Sequence, residues 1–268
     1  MSRNGPLALL FHALVMLFML APIVIVCVVA FTPEGFLSLP TNGLSLRWFK
    51  AIAGYPEFVS AFRDSLWLAA LSSVIAVGVS VPAALAVARH RFPGREAVSA
   101  FILSPLMIPH VVLGVAFLRF FTQIGVGGSM VSLVLAHVVI VLPFAFRLTL
   151  STATGLDRSL EQAAVSLGAS GATLFRRVTL PLILPGVVSG LVLAFINSFD
   201  EVTMTVFIAA PGATTLPVRM FLYIQDNIDP LVTSVSAVVI ALTVVVMALI
   251  EKLFGLERLL AGEGGGRS

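Results

Sequence analysis

The sequence predicts an all-α integral membrane protein of about six transmembrane helices, with both termini on the cytoplasmic side. Three observations predict it. Apolar residues make up 59% of the 268 positions and charged residues only 11%, with a mean hydropathy of +1.08. Soluble domains carry about 45–50% and about 25%, and a chain of this length could not hide such an apolar excess in a water-soluble core. Apolar runs long enough to cross the hydrocarbon region recur along the chain. The basic residues divide unequally between the two sides that these runs define.

The spans fall at about Leu7–Phe31, Ser65–Ala88, Ala97–Phe121, Met130–Leu148, Leu182–Val206 and Leu231–Ile250. Backbone groups in lipid must be satisfied within the segment, so each run is a helix. The first run follows Arg3 and is far longer than the ~7–15 residues of a signal core, so it reads as an uncleaved span. Pro82, Pro105, Pro109 and Pro143 lie inside spans and predict kinks. Small residues recur every four positions at Ala76, Ser80, Ala84 and Ala88, and again at Gly186, Gly190 and Ala194. Such rows predict close helix–helix packing within the chain.

The connections differ in character. Thr32–Asp64 is long and polar, and its Ser45-Leu-Arg-Trp-Phe-Lys50 predicts a short amphipathic helix at the outer interface, with Trp48 in the aromatic belt. Arg89–Arg95 is a basic turn, Thr122–Ser129 is glycine-rich, and Pro211–Pro230 is a mixed polar loop. With the N-terminus inside, the cytoplasmic side carries eleven Lys and Arg, including Arg3, Arg89, Arg91, Arg95, Arg176, Arg177, Lys252, Arg258 and Arg267, against five outside. This bias accounts for the isoelectric point near 9.6 without a nucleic-acid partner. Cys27 is the single cysteine, so no internal disulfide can form, and Cys and His do not cluster as a zinc site requires.

The connection Thr152–Pro181 has helix signals of its own. Ser159 and Gln162 are spaced as a capping box, and Gly168 suits a left-handed stop. Leu160, Ala163, Ala164 and Leu167 form one apolar face at helical spacing. A second short helix is predicted from about Gly171 to Val178, ending before Pro181, with Leu174, Phe175 and Val178 on one side and Arg176 and Arg177 near the cytoplasmic surface. Two small amphipathic helices need an apolar surface to cover them. It is either the underside of the spans or another protein's groove.

Glu161-Gln-Ala-Ala164, three residues, Gly168, nine residues, and Val178-Thr-Leu180-Pro181 resemble the EAA loop of permeases in bacterial ABC-type importers. That pattern is Glu-Ala-Ala, three residues, Gly, nine residues, Ile, one residue, Leu-Pro. Aligned on Ala163, Ala164 and Gly168, its Glu falls on Gln162 and its Ile on Val178, with Glu161 adjacent to supply an acid. The resemblance implies the type I ABC importer permease fold, a single permease domain over residues 1–268, and a multi-pass inner-membrane location. It also implies that this loop, through Glu161, Gln162, Ala163, Ala164, Gly168, Val178, Leu180 and Pro181, is the coupling helix seated on an ATPase subunit. The expected assembly is a second permease, two ATP-binding subunits and an external solute-binding protein, with ATP and Mg on the ATPase subunits and no cofactor on this chain. The chain's two lysines, Lys50 and Lys252, lie outside any Gly-x-x-x-x-Gly-Lys-Ser/Thr sequence, as a transport subunit without its own P-loop requires.

Asn197-Ser-Phe199-Asp200-Glu201 lies near the outer end of the fifth span. An acid at a helix centre costs about 2.5–3.5 kcal/mol on insertion scales. Leu, Ile, Val and Phe each return about 0.3–0.6 kcal/mol, and eleven of them between Leu182 and Phe199 carry the acids into the membrane. Asp200 and Glu201 either sit at the interface, facing water or Arg119, or line a passage for a cationic solute with Asn197 and Phe199. Ser198-Phe-Asp-Glu-Val, with Pro211-Gly and Leu216-Pro217, is similar to permeases of spermidine/putrescine-type importers, which implies a polyamine or related amino compound. His110 and His137 in apolar spans are expected to be packed histidines bonded to carbonyls rather than proton relays. A secondary transporter driven by an ion gradient leaves the EAA-like loop unexplained, and no internal repeat supports it. An intramembrane enzyme lacks its His-Glu-x-x-His or Gly-x-Ser-Gly sequence.

Overall fold

The structure is a computed structural model that describes residues 5–39 and 41–254. Arg3, Arg258 and Arg267 of the charge count lie outside the described residues. Among these residues every regular element is helical, apart from an isolated bridge between Ala210 and Ala213. The described residues form two compact units, one of residues 5–39, 41–59 and 220–253 and one of residues 60–219 with Phe254.

In the first unit, α1 (Pro6–Val29) is the first span, with Pro6 at its N-terminus where a missing N–H is harmless. Its side chains are exposed along most of its length, as those of a helix facing lipid or another chain would be. The short helix α2 (Arg47–Ala51) forms where the amphipathic stretch predicts one. Trp48, expected in the interfacial belt, is instead buried: its indole N–H donates to the Glu34 carbonyl at 3.0 Å, while Arg47 stacks over its outer face.

The long helix α3 (Pro56–Arg89) begins nine residues earlier than the predicted second span. Pro56 starts it, and the residues that follow continue the helix beyond the lipid-length run. The predicted third span, Ala97–Phe121, is not one helix. It is α4 (Arg95–Leu103), a 3-10 turn over Ser104–Met107, and α5 (His110–Gln123), bent by 102° at the break. Pro105 and Pro109 lack the N–H groups that would carry the ladder through, and Ile108, preceding Pro109, is driven to extended backbone. Pro82 and Pro143 sit inside helices without ending them, because each costs one hydrogen bond in a helix long enough to absorb it.

The helix α6 (Met130–Thr154) is the centre of the second unit. Ser129 and Ser132 form a reciprocal capping box at its start. It overruns the predicted fourth span by six residues, which shortens the following loop. In that loop α7 (Arg158–Ser166) and α8 (Gly171–Leu174) form, and α8 passes through a π-turn at Phe175–Thr179 directly into α9 (Leu180–Phe199). The second loop helix therefore does not end before Pro181, as expected. Pro181 lies in the first turn of α9, where proline is tolerated, and the π-turn keeps the axis continuous. The fifth span ends at Phe199 rather than Val206. The short α10 (Thr205–Ile208) follows a turn. The predicted polar loop Pro211–Pro230 contains α11 (Leu216–Asp226), and α12 (Leu231–Phe254) covers the predicted sixth span.

The small-residue rows do pack within the chain. Ala76, Ser80 and Ala84 are buried on α3, where the Ser80 hydroxyl donates to the Leu142 carbonyl of α6 at 3.3 Å. Gly186, Gly190 and Ala194 are buried on α9 against α6, and a Cβ at Gly190 would lie 3.1 Å from the Ala145 Cα. Lipid supplies no hydrophobic drive between helices, so such close backbone approach is what holds α6 to α9.

Candidate functional site

Two features of the second unit carry the predicted site residues, and α9 separates them. Its 20 residues place the loop 158–181 and the acids after Phe199 about 30 Å apart.

The loop feature begins with Asp157, which caps α7 by accepting from the Ser159 N–H at 2.9 Å. The expected Ser159–Gln162 capping box does not form, because Asp157 takes the cap position two residues earlier and Arg158 becomes the first helical residue. The Ser159 backbone and side chain hold the Asp157 carboxyl below the usual aspartate range. A group depressed on folding stabilises above its unfolded pKa and loses that contribution as pH falls through its folded value. Asp157→Ala is therefore expected to accelerate amide exchange at residues 158–160 at neutral pH, with the difference from the unsubstituted chain vanishing in acid.

Gly168 ends α7 as predicted, with φ +83°, and its N–H and that of Ala169 bond to Val165 and Ala164 in a Schellman stop. The apolar face of α7 is largely uncovered: Leu160 is exposed and Leu167 is 90% exposed, and Val165, on the other side of the helix, is exposed as well. Gln162, Ala163 and Pro181 are exposed too, whereas Ala164, Val178 and Leu180 are half-buried. Phe175 and Leu180 pack on a cluster of Leu85, Ala153 and Ile183, so the π-turn is anchored to the bundle while Arg176 and Arg177 project. Glu161 turns inward. Its Oε1 is bonded to the Arg89 guanidinium and accepts from the Thr179 hydroxyl at 2.6 Å, and Arg89 also donates to Thr179 at 3.0 Å. Arg158 donates to the Ala88 and Arg89 carbonyls at the end of α3.

The second feature is the turn after α9. Asp200 caps the helix end and is exposed, but Glu201 is buried at 6% exposure. Its carboxylate accepts from the Met204 and Thr205 N–H groups, each at 2.8 Å, and from the Thr205 hydroxyl at 2.5 Å. His110, at the start of α5, reaches Glu201 at 3.3 Å, so the partner of this acid is His110 and not Arg119. Because Thr205 donates its hydroxyl hydrogen to Glu201, His137 Nε2 must donate to Thr205 Oγ1, at 3.0 Å. His137 Nδ1 then accepts from Ser198, at 2.8 Å. A single directed chain, Ser198–His137–Thr205–Glu201, thus ties α9, α6 and α10 together in the core. His137 is packed, as expected, whereas the His110 side chain is 41% exposed, and their partners are hydroxyls and a carboxylate rather than carbonyls. Asn197 bonds back to the Leu193 carbonyl at 2.8 Å, and Phe199 stacks on Phe195 and edges onto Phe62.

The parts that Ser198, Thr205, Arg89 and Thr179 play in these networks escaped the sequence reading. Arg89 and Glu161 are 72 positions apart, and His137 and Thr205 are 68 apart, so no local spacing pairs them.

Apolar helices in the membrane, packed through small residues and bearing an uncovered helical knob in a loop, define a multi-pass membrane transport subunit. The chain belongs to the family described as binding-protein-dependent transport system inner membrane component, which it matches over residues 76–255. It is 31% identical over 239 residues to the spermidine/putrescine transport system permease protein PotC of Haemophilus influenzae, covering 89% of this chain and 93% of that one. It is 30% identical over 230 residues to the putrescine transport system permease protein PotI of Escherichia coli K12, covering 83% and 82%. A relative of different cargo, the molybdenum transport system permease protein ModB of Mycobacterium bovis, is 36% identical over 232 residues, covering 80% and 86%. The fold matches that of a bacterial ABC transporter for alginate import, with a TM-score of 0.71 at 15% identity over 95% of this chain and 99% of that one. It also matches the MetNI methionine ABC transporter, with a TM-score of 0.59 at 20% identity over 77% and 96%.

Proposed function

We propose that this chain is the membrane-spanning permease of an ATP-driven importer of polyamines or closely related amino compounds, and that loop 159–181 seats on a partner ATPase. The observation that carries this reading is the uncovered apolar face of α7, with Leu160 and Leu167 exposed beside the EAA-like residues. An apolar face of this kind on a capped, anchored helix is a surface built to be covered by a partner. ATP and Mg act on that partner. The whole chain serves as one permease domain, paired with a second permease and two ATPase subunits and fed by an external solute-binding protein. The Lys and Arg bias places loop 159–181 on the cytoplasmic side. Gln162, Ala163 and Leu167 meet the ATPase, while Gly168 sets the stop that presents them.

The substrate class rests on the relatives named for spermidine and putrescine and on Asp200, whose exposed carboxylate attracts a cation and repels an oxyanion. Asn197 and Phe199 belong to the same end of α9. The resemblance to a molybdenum permease favours a second reading, an oxyanion importer. Purification from native membranes is expected to bring an ATPase down with this chain, and proteoliposomes of that complex are expected to take up labelled spermidine on addition of ATP. Uptake of molybdate instead would transfer the assignment to the second reading, and a pure chain with no ATPase would end both. Gly168→Val forces a branched side chain to φ +83°, and is expected to reduce ATP-driven uptake at least tenfold while the chain still inserts, as a displaced docking helix requires.

A further inference from the structure

The docking face of α7 explains how an ATPase could be met, but not how its motion reaches the spans. The hydrogen bonds of α7 tie it to the end of α3 and to the start of α9. Arg158, at its first residue, holds the two last carbonyls of α3. Glu161, one turn on, is bonded at once to Arg89, the last residue of α3, and to Thr179, the last residue of the π-turn before α9. Arg89 closes the triangle onto Thr179. The node is shielded: Thr179 is fully buried, and the Glu161 and Arg89 side chains are 15% and 24% exposed. Shielding strengthens a charge-assisted hydrogen bond and keeps its geometry fixed.

We propose that Arg89, Glu161 and Thr179 are positioning residues that form a rigid clasp, carrying displacement of the coupling helix into α3 and α9 together. The acid of this loop thus serves the chain's own bundle, and polar contact with the ATPase falls to its neighbours. The π-turn supports this assignment. An i→i+5 turn is a local irregularity that concentrates at functional positions, and here it directs the Thr179 hydroxyl at Glu161 while Phe175 stays in the apolar cluster. A displacement of α7 then moves the first turn of α9, where the transmembrane segment begins, rather than bending the loop between them.

The proposal rests on the permease reading, and its test separates the two. In the complete importer, with Cys27 replaced by serine, spin labels at Ser166→Cys and Val192→Cys report the distance from α7 to α9. The unsubstituted node is expected to give one narrow distribution, equally wide in nucleotide-free and ATP–vanadate-trapped states. Glu161→Gln is expected to broaden it and to lower the solute taken up per ATP hydrolysed about tenfold, the scale of one charge-assisted hydrogen bond lost. The exchange Arg89→Glu with Glu161→Arg is expected to narrow the distribution and restore the ratio. An unchanged width and ratio in Glu161→Gln overturns the clasp, and so does an exchange that assembles normally yet restores neither. Should Glu161→Gln fail to assemble with the ATPase, Thr179→Val decides: a lowered ratio supports the clasp and an unaltered one overturns it. A complex in which no variant, nor the parent, contains an ATPase refutes the permease reading instead.

Discussion

Replacing Gly186 with alanine is expected to destabilise the protein by about 3 kcal/mol, at the upper end of what overpacking a filled interior costs. A Cβ at this position would overlap the Thr152 side chain and lie 2.7 Å from the Leu148 carbonyl oxygen. The side chain could turn away, but the carbonyl belongs to the α6 backbone and cannot retreat without separating the two helices. Since α6 and α9 are held by close backbone approach, their separation removes the packing along the whole row through Gly190 and Ala194. The check is a thermal denaturation series in detergent with Gly186→Ala, Thr152→Ala and the double variant. Thr152→Ala is expected to recover only part of the loss, because the carbonyl clash persists. Full recovery, or a Gly186→Ala protein as stable as its parent, contradicts this account of the interface.

Glu201→Ala is expected to be as damaging, for the opposite reason. The substitution opens a cavity and leaves the Met204 and Thr205 N–H groups and the Thr205 hydroxyl without an acceptor inside the protein. Unsatisfied buried donors cost about 1–3 kcal/mol each, so the turn between α9 and α10 loses its native form. His137 then loses the oriented Thr205 hydroxyl, and the link between α6 and α10 fails with it. Glu201→Gln keeps one acceptor oxygen and is expected to be milder. Asp200→Asn removes an exposed charge with no buried partner and is expected to leave stability within about 0.5 kcal/mol, while weakening uptake of a polycation. Denaturation midpoints and the concentration dependence of spermidine uptake, measured on the three variants, separate the roles. Equal losses of stability at Asp200 and Glu201 would contradict the division between an exposed acid and a structural one.

That division marks how far the sequence could be read. Side by side in the chain, Asp200 and Glu201 look like one acidic pair suited to a passage. Folding separates them, because the helix ends at Phe199 and the turn that follows aims one carboxylate back at the N–H groups of residues 204 and 205. The acid of α7 behaves similarly. Glu161 stands beside the position the EAA pattern reserves for an acid, yet it faces Arg89, whose position at the end of α3 follows from where that helix stops. The third span shows the limit for prolines: composition predicted a kink at Pro105 and Pro109, while the bend of 102° depends on how the two halves pack.

What the sequence by itself determined is whatever depends on the solvent and on neighbours within a turn or two of helix. The membrane class, the positions of the apolar helices, the Gly168 stop and the amphipathic knob of α7 are all of this kind, since transfer from water to lipid and helix capping are properties of short segments. Only the tertiary structure decided which polar groups meet. The Arg89–Glu161–Thr179 node and the Ser198–His137–Thr205–Glu201 chain join residues from helices distant in sequence. Their pairing is set by the rotation and depth of each helix in the bundle, which the close packing of glycine, alanine and serine rows fixes and which no single segment encodes.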